Sequence, residues 1–307
     1  MTTFPTFLQS GDIVAIVSPS GPIDVSYIDK GKEILESWGL QVWTAPHVCA
    51  RHGVFAGTDE ERSADMQAAL NSQEIRAIFC SRGGYGAIRI VEQLDYTAFL
   101  QNPKWIIGFS DITVFHSKIN TLSVASIHGA MPKNFETIHA ESLQSLRNAI
   151  FGTRKNIEWQ ANNCNKLGCA QGRLVGGNLS VLYSIRGLSL EYDYRNAILF
   201  IEDLNEYVYH IDRMLQNLKL AGILSQLAGL IVGGMTNMKQ GVDTYGMSIE
   251  QLITDTCKEY DFPIAFDFPS GHGAENEAFV IGQSYSLRID KDKAKLSVKE
   301  DIFLTHA

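Results

Sequence analysis

The sequence predicts an α/β protein in which a parallel-sheet domain is followed by a second, α+β domain. Three observations support this prediction. Short apolar segments alternate with helical patterns through the first 150 or so residues, which is typical of a parallel sheet covered by helices on both faces. Residues 152–168 are polar, rich in asparagine and poorly periodic, as expected between two domains. The last segments alternate apolar and polar residues like antiparallel strands.

Each element of the first half has a local reason. Apolar runs rich in β-branched or aromatic residues predict strands at 13–17, 40–45, 76–81, 105–110 and 124–129. Helical spacing and end signals predict helices from Asp24 to Trp38, stopped by Gly39, and then over 59–70, up to Leu94, from Asp111 and over 141–150. In the second half, the same signals predict helices from Leu179 and over 206–220 and 249–259, and strands at 197–203, 227–234, 278–282, 285–289 and 294–298.

Length and composition set the outer limits of function. A chain of 307 residues favours two domains, which we place at 1–152 and 170–307 with a linker at 153–169. The net charge of −8 and the lack of a basic run argue against a nucleic-acid partner. The apolar runs are too short to span a membrane, and the N-terminus does not read as a signal peptide, so we expect a cytoplasmic protein. The five cysteines lack the spacing of a zinc site.

The strongest local signal for chemistry surrounds Ser110. The apolar strand Trp105–Ile107 runs through Gly108 and Phe109 into this serine, and a helical pattern starts at once. A serine on such a turn projects its hydroxyl from the sheet edge, and the next N–H, that of Asp111, could hold an oxyanion at a helix N-terminus. Alternatively, Ser110 only caps the helix.

A nucleophilic serine needs a base. His272 is the best candidate because it lies in a glycine-flanked loop between strands, where backbone can approach a ligand closely. His128 competes with it, since it ends a strand at the same predicted edge and could line the site without acting as base. His116 lies on a helix and is expected to be a packing or surface residue.

An orienting acid is expected at the end of the strand 197–203, where Glu202 and Asp203 lie. Successive strand residues point to opposite faces, so both acids should not reach one imidazole. Glu202 has the longer arm, and Asp203 could cap the turn toward Glu206. Alternatively, both acids belong only to a helix N-terminus.

The glycine-rich turn 83–86 offers further site residues. It lacks the Lys-Ser/Thr of a phosphate-binding loop, but its N–H groups could supply a second oxyanion donor, and we select Gly84. Arg89, one helical turn beyond, could meet a substrate carboxylate. Tyr85 is placed with it as a substrate-binding residue.

Taken together, seven segments in order resemble the murein LD-carboxypeptidase family of serine peptidases, and they cover the chain from Gly11 to about Gly282. They are GDIVAIVSPSG, SRGGYGAIRIVEQLD, IIGFSDIT, HGAM, GRLVGGNLSVL, LFIEDLNEYVYHIDRML and SGHGAEN. Two positions depart from the family pattern: Ala130 stands where proline is expected, and Phe279-Val280 where Leu-Pro is more common. These departures bear on the substrate pocket more than on the reaction type.

The resemblance implies a flavodoxin-like N-terminal domain, an active site in the interdomain cleft, and a triad of Ser110, Glu202 and His272. It also implies a cytoplasmic homodimer that removes the terminal D-alanine from murein tetrapeptide by cutting an L,D bond in cell-wall recycling, with no metal or other cofactor. A related branch cleaves peptidyl-nucleotide antibiotics in self-immunity, and this remains an alternative substrate. A ligand-binding protein that kept the cleft and lost catalysis is the alternative of another class.

Overall fold

The computed structural model describes residues 2–153, 156–242 and 244–298. Through residue 150, strands alternate with helices in the order β1 (Ile13–Val17), α1 (Val25–Ser37), β2 (Gln41–Thr44), α2 (Asp59–Asn71), β3 (Ile75–Cys80), α3 (Ala87–Ile90), α4 (Thr97–Gln101), β4 (Trp105–Gly108), α5 (Thr113–Thr121), β5 (Ser126–His128) and α6 (Ala140–Ile150). The rest of the chain forms β6 (Ile157–Gln160), β7 (Gly168–Asn178), α7 (Leu179–Ser184), β8 (Ala197–Leu204), α8 (Val208–Leu220), β9 (Gly229–Thr236), α9 (Ile249–Cys257), β10 (Ile264–Ala265), β11 (Phe279–Ile281), β12 (Ser284–Ile289) and β13 (Lys293–Val298).

The first sheet is parallel over five strands in the order β2-β1-β3-β4-β5. This is the order of flavodoxin-like sheets. Strands β1 and β4 are almost wholly buried because helices cover both faces, and their sequences are correspondingly apolar throughout. The predicted parallel α/β fold of this half is confirmed.

The second sheet is mixed and has the order β10-β9-β8-β7-β12-β13-β6. Strands β7, β8, β9 and β10 are parallel to one another, whereas the pairs β7–β12, β12–β13 and β13–β6 are antiparallel. The predicted α+β character of the second half is therefore confirmed. No helix within the described parts of the chain is long and apolar enough to cross a membrane.

Two strands lie on unexpected sides of the proposed domain boundaries. Strand β11, from the C-terminal half, adds to the first sheet by antiparallel pairing with β5, where all three of its apolar residues are buried. Strand β6, within the stretch 153–169 proposed as a linker, forms the edge of the second sheet against β13. Residues 154–155 of that stretch lie outside the described residues, as do 299–307 of the second proposed domain. The division at 152 and 170 remains a proposal.

The carboxyl ends of the parallel strands carry the polar residues of interest. In the first sheet, β1, β3 and β4 lead into the turns that hold Ser20, Gly83 and Ser110. In the second sheet, β7 ends at Asn178, and the last residues of β8 before Leu204 are Glu202 and Asp203. The two edges touch, because the backbone N–H of Asn178 donates to Thr113 Oγ1 at the start of α5, 3.0 Å away. Side chains from both sheets can therefore share one site.

Candidate active site

Ser110 occupies a strained turn between β4 and α5. Its φ angle is 64°, in the left-handed region that residues with a side chain rarely adopt. A short 3₁₀ turn over Ser110–Ile112 then leads into α5. The fold holds a partly buried serine in this conformation at a strand end, which is the geometry of a nucleophile turn.

Gly83 leaves space beside this serine. A Cβ atom at position 83 would lie 2.8 Å from Ser110 Cβ, 3.0 Å from Ser110 Oγ and 3.3 Å from the backbone nitrogen of Asp111. A side chain there would fill the space next to the hydroxyl and the predicted oxyanion donor. Gly84, the other predicted donor, has a φ of 110° and lies against Gly21. Gly83 was missed as a site residue because the sequence does not distinguish it from its neighbours in the turn.

The side chain of Asp111 ties the surrounding loops together. Its carboxylate accepts from the Ser20 hydroxyl at 2.7 Å and from the Ala87 N–H at 2.9 Å, so it joins the turn after β1 to the first turn of α3. Burial raises the pKa of Asp111, and the hydrogen bonds from Ala87 and Ser20 oppose that rise. Asp111 therefore has a structural role in addition to the one predicted for its N–H.

Glu202 and His272 form a buried pair. His272 Nδ1 lies 2.6 Å from Glu202 Oε2, Glu202 is fully buried, and the His272 side chain is 13% exposed. Burial by itself would lower the pKa of His272, but the charge and hydrogen bond of Glu202, with the charge of Asp203, raise that pKa overall. The imidazole ring lies 4.8 Å from the ring of Phe109, the residue before Ser110. The structure thus brings the predicted acid and base together next to the serine turn.

The loop that carries His272 is held by residues that the sequence analysis missed. Gly271, with a φ of 135°, allows the chain to pass Glu202, since a Cβ there would lie 3.1 Å from Glu202 Oε2. The side-chain oxygen of buried Asn276 accepts from the Ser270 hydroxyl at 2.8 Å and from the Gly271 N–H at 3.3 Å. An asparagine that closes its own loop in this way has no sequence signal beyond a polar residue near glycines.

Asp203 has backbone partners that Glu202 lacks, although the Asn178 amide donates to both acids. Strand β8 has an irregular register against β9 between Ile201 and Asp203, so the strict alternation assumed from the sequence ends there. Asp203 accepts from the backbone N–H groups of Ser180 and Leu204, each at 2.8 Å, rather than capping the turn toward Glu206. Burial, followed by the charge of Glu202, raises the pKa of Asp203 to about 6.

The two other candidate histidines, His128 and His116, are buried. His128 is fully buried, with its ring stacked on Phe279 at 4.8 Å, and burial lowers its pKa well below the ordinary value. His116 binds Ser126 and the carbonyl of Gly108, each at 2.8 Å, and its pKa falls to about 4 through burial. Both rings contact the segment before Ser110, His116 through Gly108 and His128 with its ring 5.8 Å from that of Phe109.

Arg89 and Tyr85 lie around a different neighbour. The Arg89 guanidinium pairs with Asp59 at 2.6 Å and lies over the ring of Phe55, and the side chain is 47% exposed. Tyr85 is also exposed, with its ring 5.7 Å from that of Phe55. The structure therefore gives Arg89 an acidic partner within the protein, and a contact of either residue with substrate stays a prediction. Within the described residues, no group of three potential ligand side chains is placed to hold a metal ion.

Fold and similarity together define the class of this protein. The family model for the LD-carboxypeptidase N-terminal domain matches residues 14–129, and the model for the LD-carboxypeptidase C-terminal domain matches residues 171–287. These matches place the protein among the peptidases, two-domain hydrolases of mixed α/β structure. The chain belongs to the LD-carboxypeptidase family.

Individual relatives are similar over nearly their whole length. The chain is 34% identical to the probable murein peptide carboxypeptidase of Bacillus subtilis, over 92% of this chain and 91% of the relative. It is 24% identical to the microcin C7 self-immunity protein MccF of Escherichia coli, over 97% and 96%. The crystal structure of muramoyltetrapeptide carboxypeptidase from Oxalobacter formigenes superposes with a TM-score of 0.86 at 26% identity, over 94% of this chain and 99% of that one.

Proposed function

We propose that this protein is a serine-type LD-carboxypeptidase that removes the terminal D-alanine from murein tetrapeptide. The observation that carries the proposal is the buried Glu202–His272 hydrogen bond of 2.6 Å beside a serine held at a φ of 64°. An acid that orients an imidazole next to a hydroxyl on a strained turn is the arrangement of a serine hydrolase. The names of the Bacillus and Oxalobacter relatives support the substrate class.

The proposed reaction begins with proton transfer. In the neutral imidazole of His272, the Nδ1–H group donates a hydrogen bond to Glu202, so Nε2 carries no proton. Nε2 then takes the Ser110 proton as Oγ attacks the carbonyl before the D-residue. The N–H groups of Asp111 and Gly84 hold the oxyanion, and loss of one such donor typically costs about 10²–10³ in rate. His272 then protonates the leaving amine of D-alanine. Water, activated by the same imidazole, hydrolyses the acyl-enzyme and restores Ser110.

The wider assignment rests on the family. The proposal includes Arg89 and Tyr85 as contacts for the terminal carboxylate, although Arg89 must then share its charge with Asp59. It also includes a homodimer in the cytoplasm, acting on small murein peptides in cell-wall recycling without a cofactor. The similarity to the microcin C7 self-immunity protein supports a second candidate substrate, a peptidyl-nucleotide antibiotic.

Product analysis tests the proposal. The purified protein is incubated separately with murein tetrapeptide, with its isomer ending in L-alanine, and with a peptidyl-nucleotide. The products are identified by mass spectrometry. Loss of one alanine from the D-terminal tetrapeptide alone is expected. Comparable kcat/KM for the L-terminal isomer would overturn the LD assignment, and cleavage of the peptidyl-nucleotide alone would favour self-immunity. No covalent labelling of Ser110 by a fluorophosphonate would favour the non-catalytic binding protein.

A further inference from the structure

The end of strand β7 lies unusually close to its neighbours. A Cβ atom on Gly176 would lie 1.9 Å from the carbonyl oxygen of Phe200 in β8, and one on Gly177 would lie 2.4 Å from Thr113 Oγ1. Both glycines have positive φ angles, 128° and 144°. Residues with side chains could not make these approaches, so the Gly-Gly pair brings the residue that follows it against both β8 and the start of α5.

That residue is Asn178, and its polar groups connect the two halves of the candidate site. Its backbone N–H donates to the side-chain oxygen of Thr113, 3.0 Å away, and Thr113 lies three residues after Ser110. Its side-chain nitrogen donates to Glu202 Oε1 at 3.2 Å and to Asp203 Oδ1 at 3.0 Å. The side chain is almost fully buried, at 3% exposure, so these contacts are not shared with bulk water.

The contact with Glu202 determines how that carboxylate is oriented. The terminal torsion of a glutamate has a broad energy profile, so one hydrogen bond leaves the carboxylate free to rotate. Here one oxygen, Oε2, faces His272 and the other, Oε1, accepts from Asn178. The amide also places a donor between two neighbouring carboxylates, whose like charges would otherwise repel each other.

We propose that Asn178 is a positioning residue for catalysis, which couples the serine segment to the acid of the triad and fixes the carboxylate that orients His272. This inference rests on the proposed serine mechanism. It extends that mechanism by giving the Gly176-Gly177-Asn178 segment a function. The competing explanation is purely structural, because the Asn178 side-chain oxygen also caps α7 by accepting from the Val181 N–H at 3.2 Å.

The substitution Asn178→Ser separates the two explanations. Serine caps a helix about as well as asparagine, but its side chain has no amide to bridge the two acids. We therefore expect the variant to fold, with a thermal midpoint lowered only because the two buried carboxylates lose a donor. We expect kcat to fall by about 10- to 100-fold, the range seen when the partner that orients a metal-binding side chain is removed. KM should stay within about twofold, because the amide is not proposed to touch substrate.

A fluorophosphonate probe provides a readout that does not depend on the peptide. Ser110 Oγ bonds to phosphorus as fluoride leaves, and His272 takes the serine proton, so the labelling rate reports how well the base is oriented. We expect labelling of Asn178→Ser to slow by a factor similar to that for kcat. The low-field proton signal of the His272 Nδ1–H bond should also shift in the variant.

A control variant and a substitute for the test variant complete the experiment. Asn120→Ala removes another buried asparagine, at the far end of α5, and should reduce stability without slowing labelling. Asn178→Thr retains a capping hydroxyl and serves if the serine variant does not fold. Parental labelling rates and an unshifted proton signal in a folded Asn178 variant would overturn the inference. Failure of the parent to label Ser110 would instead refute the proposed function.

Discussion

The ring of His272 lies 4.8 Å from the ring of Phe109, although the two residues are separated by more than half of the chain. Phe109 lies between the end of β4, in the first sheet, and Ser110, and His272 is bound to Glu202 near the end of β8, in the second sheet. The proposed triad therefore forms only when the carboxyl ends of the strands in the two sheets pack against each other. This dependence makes the residues at the junction as important for the chemistry as the triad itself.

Substitution of Ser110 should separate activity from stability. Ser110→Ala and Ser110→Gly should both lower kcat by about 10⁶, the scale for loss of a serine nucleophile. Because position 110 has a φ of 64°, glycine should relieve strain that alanine retains. The glycine variant should thus be more stable than the alanine variant by about 1–2 kcal/mol. Denaturant unfolding and product release measure both effects, and kcat within tenfold of the parent would remove Ser110 from the mechanism.

Gly83→Ala should impair the serine turn. The added methyl group would lie 2.8 Å from Ser110 Cβ and 3.0 Å from its hydroxyl oxygen, closer than ordinary contacts allow. We expect slower acylation of Ser110 by a fluorophosphonate, by at least about tenfold, because small displacements of reacting groups have large effects on rate. Gly229→Ala, in the second sheet, is the matched control and should leave the labelling rate unchanged. Equal labelling of both variants and the parent would contradict the prediction.

Glu202 and Asp203 should differ sharply when each is made neutral. Glu202→Gln should lower kcat by about 10⁴, the scale for loss of an orienting carboxylate. Asp203→Asn should reduce kcat far less, because Asp203 binds the backbone of Ser180 and Leu204 and is not paired with His272. The two variants are compared by kcat and thermal midpoint. A larger loss of kcat in Asp203→Asn at an unchanged midpoint would show that Asp203 is the triad acid.

Asp203 should also affect the pH dependence of stability. Its pKa is raised to about 6 in the folded state by burial and the charge of Glu202, compared with about 3.9 when unfolded. Between these values the folded state binds more protons, so this group favours folding at low pH and its contribution falls as pH rises from about 4 to 6. The full effect is at most about 3 kcal/mol. Asp203→Asn should flatten this part of the curve, and parallel stability curves for parent and variant would refute the assignment.

The sequence predicts most of the fold because most elements have strong local signals. Strand β4 is apolar at every buried position, and Gly39 follows closely after the end of α1 at Ser37, so the sequence places both elements within about two residues. The short helix α4 lacks a periodic pattern, and only one turn of the predicted helix before Leu94 forms, as α3. The pairing of β11 with the first sheet depends on contacts between distant segments, which no local pattern encodes.

The candidate site was predictable to a different degree. The sequence predicts Ser110, Glu202 and His272 because strand ends and a glycine-flanked loop are recognisable in it, and the structure brings the last two into contact. Asn178 and Asn276 were missed because their importance comes from what they bind in three dimensions. The irregular register of β8 could not be predicted from the alternation of side chains along a strand, because an irregularity changes the face of the sheet to which a residue points.

The ionisation of His272 should control the acid side of the pH–rate profile. A general base must be unprotonated, so kcat/KM should rise with pH as the imidazole loses its proton. Glu202 and Asp203 raise the pKa of His272 against the opposing effect of burial, so the midpoint of the rise should lie above the ordinary value of about 6.5. Glu202→Gln removes the closest charge and leaves the burial, so its residual activity should rise at a lower pH than that of the parent. The measurement is kcat/KM for the D-terminal peptide, or the fluorophosphonate labelling rate, between about pH 5 and 9 for parent and variant.

Asp203→Asn is the control, because it removes the more distant charge and should shift the midpoint in the same direction by less. An acid limb that stays in place in Glu202→Gln would mean that a group other than His272 acts as the base.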